Sequence, residues 1–185
     1  MNFCQFEVSI RTGLEHIRPA AGKILNVAYY SISMEIGDVA PAFELPDTDL
    51  KMRTLDELKG DRTILSFFVA ASSPVCEREL CTFRDSWSEI TDMGAKVIAI
   101  SNDGPFANKA FAEKNGLNFP VLADYTSDTI RKYDVLMPDL LHIKGYNAAK
   151  RAIFILDKDG KIEYKWVSDN PLNEPDYEEI KNHLR

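Results

Sequence analysis

The apolar positions of this chain follow two rhythms. Residues 64–70, 97–100, 121–123 and 152–156 form short, predominantly apolar runs, the pattern of strands covered on both faces. Between the first two runs, Val75, Leu80, Phe83, Trp87 and Ile90 recur near the helical period. Pro74 precedes that stripe and Gly94 follows it, so a helix is expected over 74–94, with Ser72 or Ser73 as its cap. Phe106, Ala110 and Phe111 give a second helix over 105–115, closed by Gly116, and further helices are expected at 127–133 and 175–184. Residues 152–156 and 162–167 flank Asp157-Lys158-Asp159-Gly160, a strong hairpin signal. Upstream, Pro41, Pro46 and the acidic cluster at 47–49 bracket an extended piece at 42–45, and 54–58 reads as a helical turn ended by Gly60. Residues 137–149 keep no period and read as loop. Strands alternating with helices, then a hairpin, predict an α/β fold: a mixed sheet sandwiched by helices.

Residues 1–33 have a different texture. They carry one net positive charge, against −8 over the rest of the chain, and keep neither period for long. No compact apolar core with a small-residue cleavage site is present, which argues against a secretory signal. The reading is an appendage over 1–33, poorly ordered or the product of a start placed too early, and one domain over 34–185 that begins at Met34. Cys4 goes with the appendage and is assigned no role.

Composition narrows the function. A net charge of −7 argues against nucleic acid as a partner, because phosphate binding needs a basic face. No apolar run approaches a membrane span of about 18 residues. Three cysteines in 185 residues make no disulfide framework and fit a reducing, cytoplasmic setting. With no CxxC pair, and with His16, His142 and His183 remote in sequence, neither a metal nor another cofactor is expected.

The stretch LSFFVAASSPVCERELCTFRD, residues 65–85, concentrates the chemistry. It runs from a strand, through small residues and a proline, to Cys76 at the start of a helix. There the helix dipole and free N–H groups favour an anion, and a strand end places the thiol at the sheet rim. Glu77 and Glu79 are expected to oppose a thiolate, so a cation must come from elsewhere. Arg78 is local, but Arg151, just ahead of the 152–156 strand, is better placed to be buried and aimed. The bland alternative for Cys76 is a small core residue, and packing alone accounts equally for Cys81, next to Leu80.

From Met34 to the C-terminus the chain resembles the peroxiredoxins of the alkyl hydroperoxide reductase C/thiol-specific antioxidant family. The family's Pro-x-x-x-Thr-x-x-Cys loop corresponds to Val69-Ala-Ala-Ser-Ser73-Pro-Val-Cys76, and GDVAPAFELPDTD, ELCTFRD and RAIFILDKDGKI are also similar to the family. The resemblance implies a thioredoxin-like fold and a thiol-dependent peroxidase. It would reduce hydrogen peroxide and organic hydroperoxides through a cysteine sulfenic acid, and a thioredoxin-like donor would recycle it. By position, it implies Cys76 as peroxidatic cysteine, Ser73 as the hydroxyl that orients the peroxide, and Arg151 as the cation for thiolate and developing charge. Two departures stand out: Val69 replaces a proline that shapes the loop, and Ser73 keeps the threonine's hydroxyl without its methyl. Both are expected to slow the chemistry without abolishing it.

The Cys-x4-Cys spacing is similar to the peroxiredoxin Q, or bacterioferritin-comigratory, subgroup, which implies Cys81 as resolving cysteine within one chain. On an intact helix, five residues give about 7.5 Å of rise and roughly 140° of rotation. That exceeds the roughly 7 Å Cα separation a disulfide tolerates, so resolution requires the first turn to unwind. The alternative is a one-cysteine enzyme resolved by an external thiol. A typical two-cysteine scheme across a dimer is disfavoured, since the sequence ends at Arg185 without a cysteine-bearing tail. A monomer or homodimer is expected. The competing class is a non-catalytic thioredoxin-fold redox sensor or binding module. A disulfide reductase is weakened by the missing CxxC.

Overall fold

The computed structural model describes residues 34–185; the appendage expected over 1–33, with Cys4, lies outside them. In chain order the elements are β1 (Glu44–Pro46), β2 (Met52–Thr54), β3 (Arg62–Phe67), α1 (Pro74–Asp85), α2 (Trp87–Asp92), β4 (Ala95–Ser101) and α3 (Pro105–Asn115). There follow β5 (Val121–Ala123), α4 (Asp128–Lys132), β6 (Leu136–Met137), β7 (Ala148–Ala149), β8 (Arg151–Leu156), β9 (Ile162–Ser168) and α5 (Tyr177–Leu184). Five strands form one mixed sheet in the order β5-β4-β3-β8-β9, with β3 parallel to β4 and antiparallel to β8. The apolar runs thus supply strands of this sheet, the first continuing past β3 to residue 70, and the Asp157–Gly160 turn joins the β8–β9 hairpin.

Because side chains alternate across a strand, each inner strand feeds two cores. Ile64, Phe68, Ile153 and Ile155 face one side, where Leu80 and Phe83 of α1, Phe111 of α3 and Ile180 of α5 cover them. Leu65, Phe67 and Phe154 face the other, against Ile130 of α4 and Leu45 of β1. Phe67, Phe154 and Tyr133 meet there edge to face or tilted, with centroids 5.0 to 5.8 Å apart.

Two departures from the expected elements stand out. The helix expected over 74–94 breaks at Ser86 (φ −90°, ψ 5°), which ends α1 and opens α2. A serine there competes with the helical backbone, and the bend lets Trp87 stack on Phe119 at 6.0 Å. Residues 137–149, expected as loop, contain the two-residue ladder of β6 with β7. Asp139, Leu141 and His142 adopt positive φ between those strands, so the segment shows no hydrophobic period despite its order.

Candidate active site

Strand β3 ends at Phe67, and after a six-residue loop α1 begins at Pro74. Ser73 is the N-cap in extended conformation (φ −70°, ψ 132°), and Pro74 occupies the first turn, where its missing N–H costs nothing. The Ser73 side chain makes no capping hydrogen bond, unlike Asp176, which accepts the Glu178 and Glu179 N–H groups at the start of α5. The first α1 backbone bond runs from Glu77 N–H to the Ser73 carbonyl at 2.9 Å. Among the described residues, the Val75 and Cys76 N–H groups therefore have no backbone acceptor, and they open toward the Ser73 side of the helix end. Cys76 is fully buried.

Arg151 opens β8 on the same side of the strand as Ile153 and Ile155, which turns it toward α1. Its side chain is fully buried, an unusual place for a guanidinium. Nη2 lies 3.4 Å from Cys76 Sγ and donates to the Pro171 carbonyl at 2.8 Å. Nη1 bonds the Glu79 carboxylate, itself fully buried, and the other Glu79 oxygen accepts from the Ser66 hydroxyl at 3.0 Å. Nε is buried without a partner among the described residues. Burial works against the Arg151 charge, but Glu79 and then Cys76 outweigh it and hold the guanidinium firmly protonated. For Glu79, burial is the largest influence and pushes the carboxyl up, while Arg151 and Ser66 pull it back.

Cys76 and Arg151 thus come together, with Ser73 at the helix cap three residues before the thiol, and both glutamates expected to face the thiol have cationic partners. Glu79 is paired with Arg151, and Glu77 with Lys114 of α3 at 3.0 Å, so neither carboxylate stands unpartnered beside the thiol. Glu79 is a site residue that sequence reasoning misses. The available signals are its spacing of three from Cys76, on the buried face of α1, and the lone hydroxyl of Ser66 inside an apolar strand.

Cys81 lies apart from this network and is half-buried. Its Sγ is 3.9 Å from Asn115 Oδ1 at the end of α3, and the Asn115 amide is oriented by donation from Nδ2 to the Phe111 carbonyl at 3.0 Å. The two thiols are both free in this state. Among the described residues, no group of three or more His, Cys, Asp or Glu side chains could hold a metal ion.

Comparison with known proteins gives a consistent result. Residues 36–165 match the AhpC/TSA family. A putative peroxiredoxin bcp of Coxiella burnetii is 36% identical over 135 residues, 73% of this chain and 89% of that protein. Peroxiredoxin Bcp of Escherichia coli is 35% identical over 131 residues, 71% and 84% of the respective chains. The crystal structure of peroxidoxin BcpB from Mycobacterium tuberculosis superposes with a TM-score of 0.70 at 29% identity, covering 82% of this chain and 94% of that one. A crystal structure of a cysteine-to-serine mutant of PrxQ from Xylella fastidiosa, at 21% identity and TM-score 0.73, shares the thioredoxin fold over 82% of this chain and 95% of that one. By these matches in sequence and fold, the chain belongs to the AhpC/TSA family as a peroxiredoxin of the Bcp/peroxiredoxin Q type, a thiol-dependent peroxidase.

Proposed function

We propose that Cys76 is the sulfur that attacks the hydroperoxide, that Arg151 and Ser73 assist it, and that Cys81 resolves the product. The observation that carries this is the buried Arg151 guanidinium, 3.4 Å from Cys76 Sγ and braced from behind by Glu79. The Cys76 thiolate attacks the terminal peroxide oxygen: an S–O bond forms, the O–O bond breaks, and the departing alkoxide or hydroxide takes up a proton. Negative charge migrates from sulfur to the leaving oxygen during this step. A fixed cation and the free Val75 and Cys76 amides can follow that migration without reorganising, and so favour the transition state over the ground state. The Ser73 hydroxyl, unclaimed by the helix, is available to orient the peroxide. The unpartnered Nε of Arg151 is a further donor in reserve for an oxygen.

Cys81 then attacks the Cys76 sulfenic sulfur: the S–S bond forms, the S–O bond breaks, and water leaves. The roughly 140° divergence of the two positions on a helix means that the first turn of α1 must open for this step. An external thiol donor of thioredoxin type, supplying two electrons, returns the disulfide to two thiols. Every group named lies in one chain, so the cycle needs no second subunit and a monomer suffices. Among the described residues no helix is long and apolar enough to cross a membrane, and the reading places the enzyme in a reducing compartment such as the cytoplasm. The test is a steady-state peroxidase assay of Cys76→Ser with a thioredoxin donor. No turnover is expected; full turnover overturns the assignment.

A further inference from the structure

The Ser101-Asn102-Asp103 turn, between β4 and α3, carries no reacting group, yet two of its side chains end on the segments that deliver Cys76 and Arg151. Asp103 Oδ2 accepts the Ala71 N–H at 2.7 Å, within the loop that leads to Ser73 and α1. Asn102 Nδ2 donates to the Asn147 carbonyl at 2.6 Å, just ahead of β7 and Arg151. The turn is fixed from below. The buried Ser101 hydroxyl lies 3.1 Å from both Asp103 Oδ2 and Asn108 Oδ1. Asn108, also buried, donates through Nδ2 to the Leu122 carbonyl of β5 at 3.2 Å, which turns its oxygen toward Ser101. Asp103 is therefore anchored to the sheet, and its short charged bond to Ala71 transmits that anchorage to the loop.

The loop needs it. Ser72 adopts a positive φ of 65°, a conformation that a non-glycine residue keeps only when its surroundings impose it. Position 69 holds valine, whose φ is free where a proline ring would fix it. The other backbone bonds are Phe68 N–H to the Ile100 carbonyl at 3.0 Å, before the turn, Ser73 N–H to the Ala70 carbonyl at 3.3 Å, within it, and Glu77 N–H to the Ser73 carbonyl at 2.9 Å, where α1 begins. Of the bonds named, Asp103 alone ties the middle of the loop to the rest of the molecule.

We infer that Asp103 is a positioning residue for peroxide attack: it holds residues 70–73 so that the Ser73 hydroxyl and the free α1 amides meet the hydroperoxide, supplying from a side chain the constraint that proline at position 69 would supply from its ring. The inference rests on the reading of Cys76 and Ser73 given above.

The test is rapid-quench measurement of Cys76 oxidation by hydrogen peroxide in the full chain, with Cys76 alkylation by iodoacetamide as the companion readout. Asp103→Ala should slow oxidation about tenfold, the scale of a small misplacement of reacting groups. Alkylation needs no peroxide orientation and should change less than about twofold. Asp103→Asn keeps an acceptor oxygen without the charge and should be about threefold slow. Val69→Pro should return both variants to near the wild-type rate. Among the described residues the Val69 N–H donates to no backbone group, so proline forfeits no bond there. If the alanine variant fails to fold, the asparagine variant with and without Val69→Pro decides the matter. Undiminished oxidation, alkylation lost in parallel with oxidation, or effects of the two positions that simply add would each overturn the inference. Peroxide oxidation of another sulfur that leaves Cys76 as a free thiol in the wild type would instead remove the reading beneath it.

Discussion

The two thiols of α1 lie five positions apart and meet different surroundings. Cys76 is fully buried, faces the Arg151 guanidinium, and belongs to a first helical turn with two backbone N–H groups that no backbone acceptor claims among the described residues. Cys81 is half-buried and is offered the Asn115 side-chain oxygen Oδ1, an acceptor that suits a thiol donating its proton. A cation is near Cys81 as well, but it is differently committed. Arg84 is only half-buried, and its charge answers first to Asp85, with Cys81 a lesser influence. A cation near a cysteine is therefore not enough to make a peroxide site. What sets Cys76 apart is a guanidinium that cannot leave, because Glu79, Ser66 and Pro171 fix it in a space without solvent. Cys81 stands closer to solvent, which suits a second step.

The contrast is most exposed to failure at the two arginines. Arg151→Ala should slow peroxide attack about 10²–10³-fold, as loss of a preorganised donor does. It should also lower stability by about 3–5 kcal/mol, because Glu79 is left buried without its partner. Arg84→Ala, by contrast, should leave the first step within about twofold of the wild type. Stopped-flow oxidation and chemical denaturation check both, and equal effects of the two substitutions would erase the distinction between the thiols.

A smaller effect concerns the first turn of α1, which must open for the thiols to meet. Two ion pairs hold it from outside: Arg78 with Glu174 at 3.0 Å and Glu77 with Lys114 at 3.0 Å. Both are exposed enough for water and salt to weaken them. Arg78→Ala should therefore speed disulfide formation by no more than about fivefold, and the gain should shrink as salt is raised. A slower second phase would mean that the pair guides opening and does not restrain it.

Much of this site is legible from residue order, and the parts that are not share a cause. The strand, the proline and the helix start around Cys76 are local signals, whereas Arg151 before an apolar run reads equally well as a buried strand-end cation or a solvated flanking charge until the resemblance is added. The α3 helix and its Gly116 stop, with φ 59°, follow directly from spacing and capping. Weighed along the helix, the Glu79 charge lies beside Cys76 and reads as repulsive, yet its partner stands 72 residues away across the sheet. The Pro171 carbonyl on Arg151 and the Asp103 carboxylate on Ala71 are likewise contacts of distant segments, with no periodic pattern to announce them. Ser73 takes the cap position that spacing predicts while its hydroxyl stays uncommitted, a distinction that only coordinates display. Pairing across distance, more than element type, is what a linear reading lacks.

The most direct measurement is intact mass with peptide mapping, after one equivalent of hydrogen peroxide and without reductant, on the wild type and Cys81→Ser. The wild type should lose two hydrogen atoms, with Cys76 joined to Cys81, and Cys81→Ser should gain one oxygen, on Cys76. An oxygen on Cys81 beside an unmodified Cys76, or a Cys76 sulfenic acid persisting in the wild type with Cys81 free, would contradict the assignment of the two thiols.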